Sequence, residues 1–312
     1  MPMASPIKLE FGYNPPTGDR GRETILPAGY IADLTRALDV ATQGFRSIWI
    51  SDHLNYGQEW RLECWSVLSW VAARYPGVKL GTIVMSNTFR PPQVLAKMGA
   101  SLQYLSSGRF ILGYGAGWHE GEHAAFGIDL AAPGERIARL EEAVQVIKLL
   151  WTEAPANFAG RHYKLANAYA TPRPAPRPPI MIGGGGEKRT LRVVARHADW
   201  WNDVSRPIPV LKRKLEALEV YCAAEGRDFN SIRKTLSIGT FIDRSHKKAL
   251  EMAGKHLQGD SPPVAGDPAA VRDQYAQLAE LGFDLCITFF PRFQELDDLR
   301  LFMDEVIPAF AT

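Results

Sequence analysis

KLGTIVMSNTFRPPQVLAKMGASLQYLSSGRFILGY, residues 79–114, is the stretch whose reading decides the fold. Lys79–Ser86 and Arg109–Tyr114 are short runs rich in apolar residues, without the strict alternation of a sheet that has one wet face. Such runs suit parallel strands covered by helices. Between them, Pro92–Leu105 spaces its apolar residues as a helix does, and Pro92 suits a first helical turn. Strand, helix and strand in this order make a parallel βαβ unit.

Outward from this unit the rhythm repeats almost from end to end. Strands are expected at Ile7–Gly12, Ser47–Ser51, Lys79–Ser86, Arg109–Tyr114, Pro179–Gly183, Ala198–Asp203, Thr235–Ile242 and Leu285–Phe290. Helices are expected at Tyr30–Gln43, Glu63–Tyr75, Pro92–Leu105, Gly134–Trp151, Glu187–Arg196, Pro209–Glu225, Asp267–Leu281 and Asp297–Phe310. Gly44, Gly226 and Gly282 follow helices, and Asp267-Pro268 reads as an N-cap with proline at the first helical position.

Eight strands, each followed by a helix, give the count of a closed α/β (β/α)8 TIM barrel; an open doubly wound sheet, the alternative, usually has fewer. The 312 residues suit one such domain over 1–312. Two segments break the rhythm as insertions after strands 4 and 7. Thr152–Pro178 ends in the proline-rich TPRPAPRPP, an extended, polyproline-like approach to the fifth strand. Ser245–Gly266 is a helix followed by the loop GDSPPVAG. Each reads equally as a lid over the barrel mouth and as a packing excursion.

Composition narrows the class. Apolar residues make up 46% and charged residues 22%, the balance of a soluble globular protein. A net charge of +2 without a dense basic run argues against nucleic acid or an anionic membrane as partner. The amino-terminal MPMASPIKLEFGYN lacks the basic and apolar regions of a secretion signal, so it reads as mature structure. No apolar run approaches the roughly 20 residues of a membrane span. Cys64, Cys222 and Cys286 are scattered, which favours reduced thiols in a cytoplasmic protein. The histidines have no mutual spacing that argues for a metal.

Barrel chemistry sits where strands end. After the second strand come Asp52 and His53, a carboxylate beside the side chain best suited to exchange protons near neutral pH. A histidine capping a loop is the plain alternative. After the third strand, MSNTFRPP is small and polar, which suits either a closely approaching planar ring or an ordinary turn. After the fourth, Gly113, Gly115 and Gly117 form GxGxG rather than the dinucleotide GxGxxG. They suggest backbone lying against a ligand, with Trp118 as a stacking wall. After the fifth, Gly183–Gly186 run towards a helix and lack a Walker ending; exposed N–H groups at a helix start favour an anion such as phosphate. A purely structural glycine turn is the competing reading.

Four ordered blocks carry a resemblance: SIWISDHL (47–54), LGTIVMSNTFRPPQVLAKM (80–98), LSSGRFILGYGAGWHEGEHAAFGI (105–128) and IMIGGGGEKRTLRVVARHADWWN (180–202). Together they resemble the bacterial luciferase-like monooxygenase family, most closely its branch that uses the deazaflavin coenzyme F420. The resemblance covers at least residues 5–203, and FDLCITFFPRF fits the family's last strand. It implies a barrel with Asp52 and His53 beside the reactive ring and His53 as proton donor. It also implies a bulge with a non-prolyl cis peptide at Ile83-Val84 against the ring face, and Ser86 on the ring or its tail. Ala116 and Gly117 would lie along the polyol, and Gly184, Gly185 and Gly186 would hold the phosphate. The family's sugar-phosphate dehydrogenases place a catalytic glutamate where this chain has Trp118, which points to another, less polar substrate.

The expected activity is hydride transfer between F420 and a small organic substrate. One alternative is an FMN-dependent monooxygenase supplied with reduced flavin by a separate reductase; a non-catalytic flavin-binding accessory barrel is another. The family's habit implies a homodimer, with a flavin or F420 reductase as electron source.

Overall fold

The computed structural model describes residues 7–19 and 25–310. Residues 1–6, at the start of the segment read as mature structure, lie outside the described part. Eight parallel strands close on themselves: β1 (Glu10–Tyr13), β2 (Ser47–Ile50), β3 (Lys79–Thr82), β4 (Phe110–Gly115), β5 (Ile180–Gly183), β6 (Trp200–Val204), β7 (Arg233–Ile242) and β8 (Leu285–Phe289). Each pairs with the next, and β8 pairs with β1, so this is a closed (β/α)8 barrel rather than an open sheet. The helices that cover it are α1 (Tyr30–Ala41), α2 (Cys64–Arg74), α3 (Pro92–Leu105), α4 (Glu120–Ala125), α5 (Pro133–Thr152), α6 (Thr190–His197), α7 (Ile208–Ala224), α8 (His246–Ala253), α9 (Pro268–Glu280) and α10 (Asp297–Glu305).

The inside of the barrel is filled rather than hollow. Trp49 on β2 points inward with its indole fully buried, among Ile111, Met181, Leu285 and Ile287. The glycines on the flanking strands make room for it. A Cβ on Gly12 of β1 would meet Trp49 Nε1 at 2.4 Å, and one on Gly81 of β3 would meet the ring at 2.2 Å. Ile83 and Val84 pack on this plug, so the mouth of the barrel has a solid apolar floor. A larger core lies between the outer faces of the strands and the helices.

Differences from the expected elements have local causes. β3 stops at Thr82, and Met85–Ser86 resumes pairing with β4 after a cis peptide bond between Ile83 and Val84. Helix α10 ends at Glu305 rather than Phe310, and a short 3-10 turn, Ile307–Ala309, containing Pro308 follows. The Thr152–Pro178 excursion contains an antiparallel hairpin, Ala156–Ala159 with Lys164–Ala168. It packs along α5, where the Glu142 carboxylate accepts the N–H groups of Arg161, His162 and Tyr163. Its proline-rich end bends at residues 171–172 and 175–176 instead of running as a continuous polyproline helix. In the second insertion, Val264–Gly266 adds a short parallel strand against β7. Neither insertion lines the central cavity at the barrel mouth.

Candidate active site

A cavity of about 660 Å³ opens at the carboxyl ends of the strands. Of the residues singled out in the sequence, Asp52, His53, Ile83, Val84, Ser86, Ala116, Gly117, Trp118, Gly184 and Gly185 all line it. Gly186 does not.

His53 leaves the end of β2 and is held at both ring nitrogens. Nδ1 lies 3.0 Å from Glu122 Oε1, and Nε2 lies 3.0 Å from the Tyr56 hydroxyl. Glu122 sits on α4, a single short helix inserted between β4 and α5. Its second oxygen accepts the Leu54 N–H at 2.8 Å. Burial pushes this carboxyl up, but bonds from His53 and Leu54 outweigh that and hold it below the usual range. An ionised Glu122 can only accept, so the neutral imidazole carries its hydrogen on Nδ1. Nε2 is then an acceptor, filled by the Tyr56 O–H. In the neutral ring the acceptor nitrogen therefore lies behind the Tyr56 hydroxyl.

Asp52 faces the other way. Its carboxylate accepts the Ser86 N–H at 2.9 Å and both arms of Arg90, at 2.9 and 3.2 Å. Burial pushes the Asp52 carboxyl up, against the pull of the Arg90 guanidinium. Arg90 also binds Glu63, which caps the start of α2 through the N–H groups of Trp65 and Ser66. Asp52 thus ties β2, the β3 loop and α2 together, with both oxygens already bonded.

Val84 projects between β4 and β5, where a Cβ on Gly115 or on Gly183 would meet its methyl groups at 2.8 Å. Gly117 is needed twice over. Its φ of +78° favours glycine, and a Cβ there would meet Ser86 Oγ at 2.7 Å and Thr88 Oγ1 at 2.9 Å. Ser86 Oγ bonds Thr88 Oγ1, which bonds Nε2 of the buried His123. Trp118 is 62% exposed at the rim, edge-on to His53 at 5.9 Å and to His119 at 5.1 Å.

The glycine run differs from its sequence reading. It does not open a helix directly: α6 begins at Thr190, after a turn over residues 187–189. The Gly184 N–H is taken by the Asn202 carbonyl at 2.9 Å, and its own carbonyl accepts from Trp201 Nε1. The N–H groups of Gly185 and Gly186 have no partner among the described residues. Beneath the loop lies a buried ion pair of Asp203 and Lys214. Trp201, whose indole bonds the Gly184 carbonyl, is fully buried core. Arg136 at the start of α5 and Arg206 after β6 bring two guanidinium groups to the cavity. The buried Nε of each has no hydrogen-bond partner among the described residues.

This cavity has an apolar bulge at Ile83 and Val84 and a proton-handling histidine. It also offers backbone N–H groups without a protein partner and two arginines that make no ion pair among the described residues, while the carboxylate beneath the loop, Asp203, is held by Lys214. It fits a planar ring with an anionic tail.

The sequence profile described as luciferase-like monooxygenase matches residues 9–263. This chain belongs to that family. Among curated luciferase-like relatives, the F420-dependent glucose-6-phosphate dehydrogenase of Amycolatopsis mediterranei is 34% identical over 261 residues, 78% of this chain and 72% of the relative. The same enzyme of Kineococcus radiotolerans is 36% identical, over 78% and 71%. Solved structures share the barrel. An F420-dependent secondary alcohol dehydrogenase in complex with an F420-acetone adduct superposes with a TM-score of 0.82 at 19% identity, covering 98% of this chain and 100% of that one. The monooxygenase RslO1 from Streptomyces bottropensis gives 0.78 at 22%, covering 97% and 100%. The chain is thus an enzyme of the oxidoreductase kind.

Sequence reasoning passed over Glu122, Tyr56, Arg90, Arg136 and Arg206. The first lies in a quoted block, but nothing in the sequence pairs it with a histidine 69 positions away.

Proposed function

We propose that this chain transfers a hydride between coenzyme F420 and a small hydroxyl-bearing organic substrate, with His53 managing the proton. The observation that carries this is one cavity lined by the Ile83-Val84 bulge, by His53 and Glu122, and by Gly183–Gly185, with Tyr56 bonded to His53 from beside it. The curated relatives, named as F420-dependent, support the choice of cofactor.

When bound, the deazaflavin supplies a two-electron hydride acceptor or donor. The protein's own part is threefold. Ile83 and Val84 give the ring an apolar face. Gly185, Arg136 and Arg206 hold the anionic end. Glu122 keeps the His53 hydrogen on Nδ1, so Nε2 is the acceptor, and the Tyr56 hydroxyl relays to it: Tyr56 passes its own proton to Nε2 and takes the substrate hydroxyl proton in its place as the adjacent C–H leaves as hydride. In the reverse direction the same nitrogen gives the proton back, which is where His53 acts as donor. Trp118 and Tyr56 present aromatic walls at the rim, which suits a substrate less polar than a sugar phosphate.

Titration with oxidised and reduced deazaflavin, followed by absorbance, tests the reading; no binding of either form refutes it. Fold likeness to RslO1 favours a second reading, an FMN monooxygenase, for which oxygen-dependent turnover with reduced FMN is the distinguishing result. The proposal includes a cytoplasmic homodimer. An apolar groove between α2 and α3, lined by Trp65, Met98 and Leu102, with Leu105 78% exposed, supports the dimer. Among the described residues, no helix is long and apolar enough to cross a membrane.

A further inference from the structure

Two cavities meet at Arg136. The central one holds the site above. The second, about 470 Å³, lies behind the loop after β3, between residues 87–91 and the first turns of α5. Arg136 is the residue that lines both.

Two neighbouring arginines are matched. Arg90 is bound to Asp52 and Glu63, and Arg139 binds Glu135 at 2.6 Å. Arg136 has no carboxylate within ion-pair distance among the described residues, and its Nε is buried without a hydrogen bond. Asp129 also lines the second cavity, where it stands near Arg139 rather than on Arg136. Arg136 is half-buried with its Nε out of water, so a bound anion would supply the counter-charge and hydrogen-bond acceptor that its surroundings lack. The first turn of α5 has the same sign: its N-cap is Ala132, which has no capping side chain, and Pro133 and Ile137 share the cavity wall with Arg136. Tyr163, whose hydroxyl reaches Asn87 Oδ1 at 3.4 Å, and Gln93 complete a polar wall in the second cavity.

We propose that Arg136 binds a carboxylate-bearing extension of the coenzyme, which runs from the glycine loop into the second cavity. This rests on the deazaflavin reading. F420 carries a lactyl group and a chain of glutamates beyond its phosphodiester, whereas FMN ends at its phosphate. The site therefore takes an oligocarboxylate, and its ligand is the tail rather than the ring.

The test is a ring-fluorescence titration, without substrate, of wild type and Arg136→Gln. Three probes are used: the phosphate-free ribityl deazaflavin, the phosphodiester form without glutamates, and a form with several glutamates. Wild type is expected to bind the glutamylated form about tenfold or more tightly than the glutamate-free one, the scale of a charge-assisted hydrogen bond. That gain shrinks at high salt. Arg136→Gln loses the gain and binds the phosphate-free probe as wild type does, which also reports that it is folded. Equal binding of the two phosphodiester forms by wild type overturns the proposal without any variant. An Arg136→Gln protein that keeps the full gain, or that weakens all three probes alike, overturns it too. Binding of no probe refutes the deazaflavin reading and this one with it. A phosphate-dependent gain with no glutamate dependence refutes this one alone.

Discussion

Replacing Glu122 by glutamine tests whether His53 works as a base. The wild-type carboxylate is 2% exposed and faces two donors, His53 Nδ1–H at 3.0 Å and the Leu54 N–H at 2.8 Å. Glutamine has one oxygen to offer. If the oxygen stays on Leu54, the amide NH2 donates to Nδ1 and forces the neutral ring to carry its hydrogen on Nε2. Turning the amide over instead sets two donors face to face at Leu54. The lost bond is charge-assisted, so about 1.5–3 kcal/mol is at stake, roughly ten- to a hundredfold in turnover if it is lost in the transition state. The direct assay needs no substrate. Nitrogen-15 spectra of histidine-labelled protein should show the His53 signals exchanging, Nδ1 from protonated to bare and Nε2 the reverse. Deazaflavin affinity should change little. Unaltered His53 signals in Glu122→Gln, or turnover within about threefold of wild type, would refute the reasoning. Stability gives an independent check with a fixed sign. The folded Glu122 carboxyl lies below its usual value of 4.5. Its contribution is therefore complete above that value and fades as pH falls through the lower, folded one. The melting-temperature gap between wild type and Glu122→Gln should close in acid, not in base.

Tyr56→Phe removes the donor to His53 Nε2. Cofactor affinity should hold while the Nε2 nitrogen signal moves towards that of an unbonded acceptor; an unmoved signal argues that the bond is absent in solution. A Cβ on Gly185 would meet Asp203 Oδ2 at 2.0 Å and Lys214 Nζ at 2.1 Å, with that pair buried. Gly185→Ala should cost about 3 kcal/mol by disturbing the pair, seen as a melting point roughly 4–5 °C lower, and an unchanged melting point would contradict the packing. Gly117→Ala must pay for its left-handed backbone and for contact with Ser86. We expect it to lose at least about 1 kcal/mol of stability and tenfold in deazaflavin binding, and wild-type binding by titration would show that the approach is not tight.

What could be read from the sequence was what chain-local physics writes there. The strand runs, Pro92 at the start of α3, and the glycines after β4 and β5 all act through their own backbones, so their types and spacing suffice. Partnerships across the barrel left no such trace. Glu122 reaches His53 through a helix of six residues, too short to display a period. Arg90 finds Asp52 only because β2 and β3 are neighbours in the closed sheet. The glycine run was read as a helix start because glycine followed by charged residues often is one; a turn over residues 187–189 delays the helix instead. The hairpin in the long excursion was hidden because its stabilising contacts are to Glu142 on another element.

One carboxylate on α4 has two dependants. The loop between β4 and α5 carries Trp118 at the rim, where substrates are chosen, and Glu122, where the histidine's hydrogen is placed. A change that reshapes this loop for a new substrate therefore also risks turning the imidazole from an acceptor into a donor. Selectivity and proton chemistry are inherited together here, and relatives that trade one substrate for another would have to do so by side-chain exchange on a backbone that stays where Glu122 anchors it.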